Sequence, residues 1–458
     1  MKPIHTTRRR FLKNTGMGLA SLGVTGALLK SLLAAEKSNL KTDPPEISAS
    51  VFPCDVADEG MGTVFDNLQN LACVNSAYLC NLDQSKRPFR GGKYPHNPVR
   101  KSFATQGSRI YWNPNMKLYG RIKPLLSTVD FLAGTDWVDA FVKECRKRKM
   151  KAGVEFFHGY IDSERLNGSL KDLRQLDVFG NTVKSHNHGM PASCLNNPDF
   201  QEFVVALYFD VISHYDLDYV QTCMMPFVLP ARLLVENSRK DSLEWLLIGP
   251  QKGGCFCTHC MKAAAADGFD LKEAQQELQV LAKQDVQAIM RSGISGQDYQ
   301  DKHPVLKKWF DFRCVSVNRL YGKIKAEAKK CNPKIDLRWN NYLRTHGYYS
   351  GVHLPDFMKY IDSIRANVYV EHQNDPKLVA VKVDYLKWFN KVVNDRVQWV
   401  AALDIRGKNR DILEQCAELC SYTGCDGYAL GHYGGALLEN LKAVKRGLMK
   451  SKWAQHFD

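Results

Sequence analysis

Three cysteines stand within six positions in the segment GGCFCTHC: Cys255, Cys257 and Cys260. A tight turn can bring alternate side chains to one side, so the C-x-C-x-x-C spacing lets these thiolates aim at one centre. A closed tetrahedral zinc site needs about four such ligands, and the fourth has to come from elsewhere. Cys194, in SCLNNPD, is the choice, with His186, His188 and Cys223 as rivals. A disulfide between Cys194 and one of the three competes with zinc. An iron–sulfur cluster comes third, since four thiolates suit it too. A closed four-thiolate zinc site leaves no open position for substrate, so the zinc expected here is structural.

The second chemistry the sequence offers is carboxylate acid–base work. Glu371 in VYVEHQND and Asp404 in AALDIRGKN each close an apolar run, where a carboxylate must reach water or find a partner. Arg406 stands two residues from Asp404 and could make it a structural ion pair. Glu155 sits within AGVEFF and is the third candidate carboxylate. His158, Asn340, His372, His432 and Tyr433 follow or end other apolar runs and are candidate substrate contacts, because hydroxyl-rich ligands need such hydrogen-bonding groups. Trp112, Trp339 and Trp399 are better read as core than as sugar platforms.

These residues need a scaffold that gathers them, and the chain carries one. Short β-branched runs alternate with amphipathic helical runs, the pattern of a parallel sheet with crossover helices. The expected strands are 47–53, 74–80, 152–157, 218–223, 335–340, 364–371, 397–404 and 427–433. Between them, Phe200, Phe203, Val204, Leu207, Val211 and Ile212 fall on one helical face behind an Asn197 cap and Pro198. Trp137, Val138, Phe141, Val142 and Cys145 form another stripe, as do Leu378, Val381, Tyr385, Phe389 and Val392. Eight strands with interleaved helices predict an α/β fold, a closed (β/α)8 TIM barrel over 46–458. Long insertions are expected after strand two, from Asn81 to about Ser127, and after strand four, from Met224 to about Pro304. Both follow strand C-termini, where this fold builds its active-site face.

The first 35 of the 458 residues read as a signal rather than as fold. TTRRRFLKNTGMG is followed by a weakly apolar stretch that ends at Ala34–Ala35, the twin-arginine form of a bacterial export signal. Residues 36–45 read as a short polar linker. The protein is therefore expected to be exported to the periplasm or beyond, with no integral membrane span once the signal is cleaved. The twin-arginine route exports folded proteins, so a metal could enter while the thiols are still reduced. Lys2, Arg8, Arg9, Arg10, Lys13 and Lys30 lie in the signal, which takes the formal +15 of the whole chain to about +9. The remaining lysines are scattered and no basic-aromatic motif occurs, so nucleic acid is not expected as a partner.

A C-x-C-x-x-C knot after strand four with an upstream cysteine resembles the zinc cluster of glycoside hydrolase family 42 β-galactosidases. The wording GGCFCTHC, with SCLNNPDF before it and CDGYALGHYGG near the end, more closely resembles the glycosyl-hydrolase-like barrels of the hypothetical glycosyl hydrolase 6 type. The resemblance implies zinc on Cys194, Cys255, Cys257 and Cys260, a carbohydrate substrate, and cleavage of glycosidic bonds. In the larger group around family 42 the acid ends strand four and the nucleophile ends strand seven. Asp404 stands at the second place, but strand four here ends QTCMMPF, with no carboxylate. The expectation is an extracytoplasmic glycoside hydrolase-like enzyme using Glu371, Asp404 and Glu155. A degenerate sugar-binding barrel is the alternative. A cofactor-dependent oxidoreductase is third and lacks a G-x-G-x-x-G fingerprint.

Overall fold

In the computed structural model, residues 44–82, 94–101, 108–156, 161–184, 191–223, 227, 243–341, 344–373 and 375–457 are described. The expected signal, residues 1–35, and nearly all of the expected linker lie outside them.

Eight strands run parallel: β1 Glu46–Val51, β2 Ser76–Leu82, β3 Lys151–Phe156, β4 Tyr219–Cys223, β5 Asp336–Asn341, β6 Ser363–Ala366, β7 Gln398–Asp404 and β8 Gly427–Gly431. Each pairs with the next, β2 pairs with β1, and β8 returns to β1 with Glu46 opposite Gly427, which closes the barrel. The expected (β/α)8 barrel is therefore the fold found. The helices that pack between consecutive strands are α1 Met61–Ala72, α2 Trp137–Lys147, α3 Pro198–His214, α4 Pro304–Cys331, α5 Leu354–Phe357, α6 Lys377–Val393, α7 Arg410–Leu419 and α8 Leu438–Lys450, with further short helices in the connections. No described helix is long and apolar enough to cross a membrane.

The local causes are legible in α3. Its six apolar stripe residues are all buried, and the Asn197 side chain accepts from the backbone N–H groups of Asp199 and Phe200. In α6 the buried face is rotated from the expected one. Val379, Val383, Tyr385, Leu386, Phe389 and Val393 face the barrel, whereas Val381 is 49% exposed. The reason is Lys382, which is fully buried and pairs inward.

The insertion after β4 is helical: Leu243–Lys252, Thr258–Ala266, Leu271–Ala282, Val286–Arg291 and Gly296–Lys302 precede α4. The insertion after β2 is docked on α3 through the buried carboxylate of Asp210, which accepts from the Trp112 ring N–H (3.0 Å) and the Tyr119 hydroxyl (2.7 Å).

The barrel lumen is polar. In its lower layer Arg338 on β5 reaches across to Glu46 on β1, with N–O distances of 2.6 and 3.1 Å, and lies 4.1 Å over the Tyr219 ring. The Tyr219 hydroxyl meets Ser76 Oγ on β2 at 3.0 Å. Strands β1 and β5 are not neighbours, so this pair spans the interior. Gly153 on β3 has to be glycine, because a Cβ there would lie 2.3 Å from the Tyr219 ring.

Candidate functional site

The upper lumen is built on Glu155. The pleat of β3 turns every second residue inward, and Glu155 projects fully buried into the barrel. Gln221 on β4 donates a short hydrogen bond to Glu155 Oε2, and Asn340 Nδ2 on β5 donates to the same oxygen at 3.3 Å. Cys80 Sγ on β2 lies 3.8 Å from Oε1. Arg365 on β6, also fully buried, brings Nη1 to 4.0 Å from Oε2 and Nη2 to 2.8 Å from the Tyr369 hydroxyl. Asn367 donates to Asn340 Oδ1. Five strands thus converge on one carboxylate.

Asp404 ends β7, four strands around the barrel from β3. Burial alone would raise its pKa, but Arg406 outweighs burial and lowers it: Nε and Nη2 donate to the two carboxylate oxygens at 2.8 Å each. His372, 53% exposed at the rim, has Nδ1 3.7 Å from Asp404 Oδ2. The expected ion pair with Arg406 is present, and it holds the carboxylate ionised at the barrel mouth. Asp404 pairs in register with Gly431 on β8, and a Cβ on Gly431 would lie 2.8 Å from Arg365 Nη2. Next to Gly431, His432 is buried with Nδ1 2.5 Å from Ser50 Oγ on β1 and its ring 5.1 Å from that of Phe52. Glu155, Asn340, Asp404, His372 and His432 are thus gathered at one end of the barrel.

Two expected residues are not. Strand β6 ends at Ala366 rather than at 371, and Glu371 opens a 3-10 turn that places it behind the barrel wall. Glu371 is fully buried. Lys382 of α6 donates to its Oε1 and also to the carbonyl oxygen of Ala402 (2.7 Å), while the Val370 N–H donates to Oε2 (3.0 Å). The carboxylate found a partner instead of reaching the mouth, so it has no face toward a substrate. Tyr433 likewise turns outward: its hydroxyl donates to Glu59 Oε2 and accepts from Asn67 Nδ2 of α1, both at 2.8 Å. His158 lies outside the described residues, as do His186 and His188. Trp112, Trp339 and Trp399 are all buried core residues.

Sequence reading missed Arg365, Gln221 and Asn367. Each sits at alternate spacing in or next to a strand, so an inward polar position was the available signal. Asp55, an acid just after β1, is a further buried carboxyl. That carboxyl is fully buried after β1, accepts from the Phe52 N–H at 2.9 Å, and is pushed up to about 7, chiefly by burial, with the Glu59 charge adding to it against the Phe52 and Gly434 N–H groups.

The cysteine cluster lies beside this end of the barrel. Cys194 precedes α3, Cys255 and Cys257 lie before Thr258–Ala266, and Cys260 is in that helix's first turn. All four are buried, and their sulfurs lie within 4.8 Å of one another. Cys194 Sγ is 3.3 Å from Cys257 Sγ and 3.5 Å from Cys260 Sγ. Four sulfurs each about 2.3 Å from a central zinc would sit about 3.8 Å apart, so a small collective adjustment accepts a tetrahedral ion. The Leu176 N–H points at Cys255 Sγ (3.4 Å), and Asn196 Nδ2 at Cys260 Sγ (3.3 Å), so both sulfurs have donors that would stabilise them as thiolates. Hydrogen bonds from Cys194, Cys255 and Cys260 hold the Cys257 thiol far below its ordinary range. Gly254 has to be glycine, because a Cβ there would lie 2.9 Å from the Leu176 carbonyl oxygen. This close approach joins the loop after β3 to the helical insertion after β4. The described residues thus include a site able to hold a metal ion.

No protein-family model matches the chain, and no curated protein is similar to it in sequence. Solved structures are similar in fold. A family 42 β-galactosidase from G. stearothermophilus, in a catalytic-mutant form, has a TM-score of 0.54 at 11% identity, covering 90% of this chain and 57% of its own. The cold-adapted β-galactosidase from Rahnella sp. R3 gives 0.52 at 12%, covering 91% and 57%. The α-L-fucosidase isoenzyme 2 from Paenibacillus thiaminolyticus gives 0.51 at 13%, covering 90% and 49%. At these identities the likeness establishes the fold alone, a (β/α)8 TIM barrel. The chain spans about half the length of these proteins.

Proposed function

We propose that the protein is an exported carbohydrate-active enzyme that cleaves glycosidic bonds at the C-terminal mouth of its barrel, with Glu155 and Asp404 as its carboxylates. The observation that carries this reading is their placement: two buried carboxylates on strands four apart, one in the lumen and one at the rim, with Arg365 4.0 Å from the first and beside Gly431, the residue paired with the second. Glycoside hydrolysis needs one carboxyl to protonate the leaving oxygen and another to act as base or nucleophile. Asp404, held ionised by Arg406, suits the second role. Glu155 is left to donate the proton. The amides of Gln221 and Asn340 can donate to its carboxylate or, flipped, accept from its acid form, so the cradle serves both states. Glu155 thereby takes over from β3 the function for which β4 carries no acid. Zinc on the four cysteines is structural in this reading, and residues 1–35 are a cleaved twin-arginine signal.

The test is a glycan panel with product analysis for the wild type, Glu155→Gln and Asp404→Asn. Each variant should lose about 10²–10⁴-fold in turnover while staying folded. Wild-type turnover in either removes that residue from the mechanism. A non-catalytic sugar-binding barrel is the second reading, favoured by the missing β4 carboxylate and by the full burial of Glu155. Calorimetric binding without product from any glycan selects it. Metal analysis of the purified protein should find about one zinc per chain.

A further inference from the structure

Arg313 of α4 is fully buried, and among the described residues none of its guanidinium nitrogens has a hydrogen-bond acceptor. Its charge sits among aromatic faces: Trp309 at 4.7 Å, Phe227 at 4.8 Å and Phe310 at 5.5 Å. Cation–π contacts offset only part of the cost of holding a cation away from water. A guanidinium does not escape by losing its proton, so the aromatic box alone leaves a deficit. Among the described residues no carboxylate forms an ion pair with it.

What lies beside Arg313 is the cysteine cluster. Its Nη1 is 3.3 Å from where a Cβ on Gly253 would stand, two residues before Cys255. Trp309 stacks on Phe256, between Cys255 and Cys257, with ring centroids 5.6 Å apart. Burial pushes the Arg313 guanidinium down to about 9, and the thiols of Cys314, Cys255 and Cys260 act against that fall. Four thiolates around a divalent ion carry a net charge of −2, whereas two disulfides carry none.

We propose that Arg313 is the counter-cation of a four-thiolate metal centre on Cys194, Cys255, Cys257 and Cys260. The guanidinium offsets the negative charge of the loaded site through a dry aromatic shell. Arg313 is a positioning and charge-balancing residue, not a ligand. The inference rests on the metal reading of the cluster and adds the sign of the charge that the site carries.

Zinc is the probe. The reduced full chain is loaded with Zn²⁺, titrated with a colorimetric chelator, and unfolded in urea with and without the metal. Arg313→Met and Arg313→Gln remove the charge and should surrender zinc about 10–100-fold more readily, whereas Arg313→Lys should stay within a few-fold of wild type. Without metal, Arg313→Met should be at least as stable as wild type, because it removes an uncompensated cation. With zinc it should be less stable, so the sign of the change reverses on loading. Equal zinc affinity in all four proteins overturns the role of Arg313. So does loss of zinc by the lysine variant as great as by the methionine variant, which would make packing the cause. If Arg313→Met does not fold, the Gln and Lys variants carry the same comparison. A reduced wild type that takes up no zinc overturns the metal reading itself, a result distinct from zinc-binding protein with indifferent variants.

Discussion

Glu371 and Glu155 are both fully buried carboxylates, yet only Glu155 faces the lumen. The difference comes from where the backbone turns. Strand β6 stops at Ala366, Asn367 bends in to Asn340, and the chain then carries Glu371 over to Lys382. The apolar run VYVE looks like a strand to its last residue, so composition alone could not place Glu371 behind the wall. Glu155 was legible as a candidate, but its cradle was not, because Gln221, Asn340 and Arg365 are distant in sequence and meet only when the barrel closes. A prediction belongs to this scale. Lys382→Met alone leaves a buried carboxylate uncompensated and should cost about 3–5 kcal/mol. Adding Glu371→Leu should recover most of that loss. Urea midpoints of the two variants measure it, and a double variant no more stable than the single one would refute the ion pair as the cause. Glu371→Gln, once allowance is made for lost stability, should retain turnover on any glycan the wild type cleaves.

The eight strands, to within a few residues at their ends, and the helices α2, α3 and α6 were readable from period and punctuation, because each buries a face that its own sequence marks. The exception is instructive. The face of α6 was misread by part of a turn because Lys382 counts as polar in a pattern yet sits in the core, its charge met by Glu371. The helical insertion after β4 was read only as a long interruption, since its several short helices expose much of their surface and leave weak stripes. Cys194 and the C-x-C-x-x-C knot tie this insertion to the loop after β3, which gives the cluster a mechanical meaning at the scale of elements. Stripping the proposed zinc, or replacing Cys194 by serine, should loosen residues 243–302 while the barrel stays folded. Hydrogen exchange should then rise across Leu243–Lys252, Thr258–Ala266 and Leu271–Ala282, with β1 and β8 unchanged. Uniform loss of protection over the whole chain would mean that the cluster holds the barrel itself. Asn197→Ala tests a smaller element term. Loss of its two cap hydrogen bonds to the start of α3 should cost about 1 kcal/mol in a urea titration.

The whole molecule closes around buried charge, and its stability should therefore bend with pH in a way set by two carboxyls of opposite sense. Glu46 ties β1 to β5 through Arg338. Burial alone would raise its pKa, but Arg338 and then Lys151 outweigh burial and hold it at about 2 against an ordinary 4.5. Its contribution is fully present above pH 4.5 and disappears as pH falls toward 2, amounting to about 3 kcal/mol at 1.36 kcal/mol per unit. Asp55 runs the other way. Burial raises it from 3.8 to about 7, with Glu59 adding to the shift, so its contribution is fully present below pH 3.8 and is lost as pH climbs through 7, an amount of about 4 kcal/mol. Together the two put a stability maximum between about pH 4 and 5, lower than the common range for globular proteins. Urea midpoints taken from pH 2.5 to 8.5 should trace that dome. Asp55→Asn should flatten the limb between pH 4 and 7 and leave the acid limb intact. Glu46→Gln should lower stability at neutral pH, because among the described residues Arg338 keeps only Asp336 as a carboxylate partner, and should flatten the acid limb. If the Asp55→Asn profile parallels wild type throughout, the raised acid is not where burial places it, and the alkaline limb belongs to other groups.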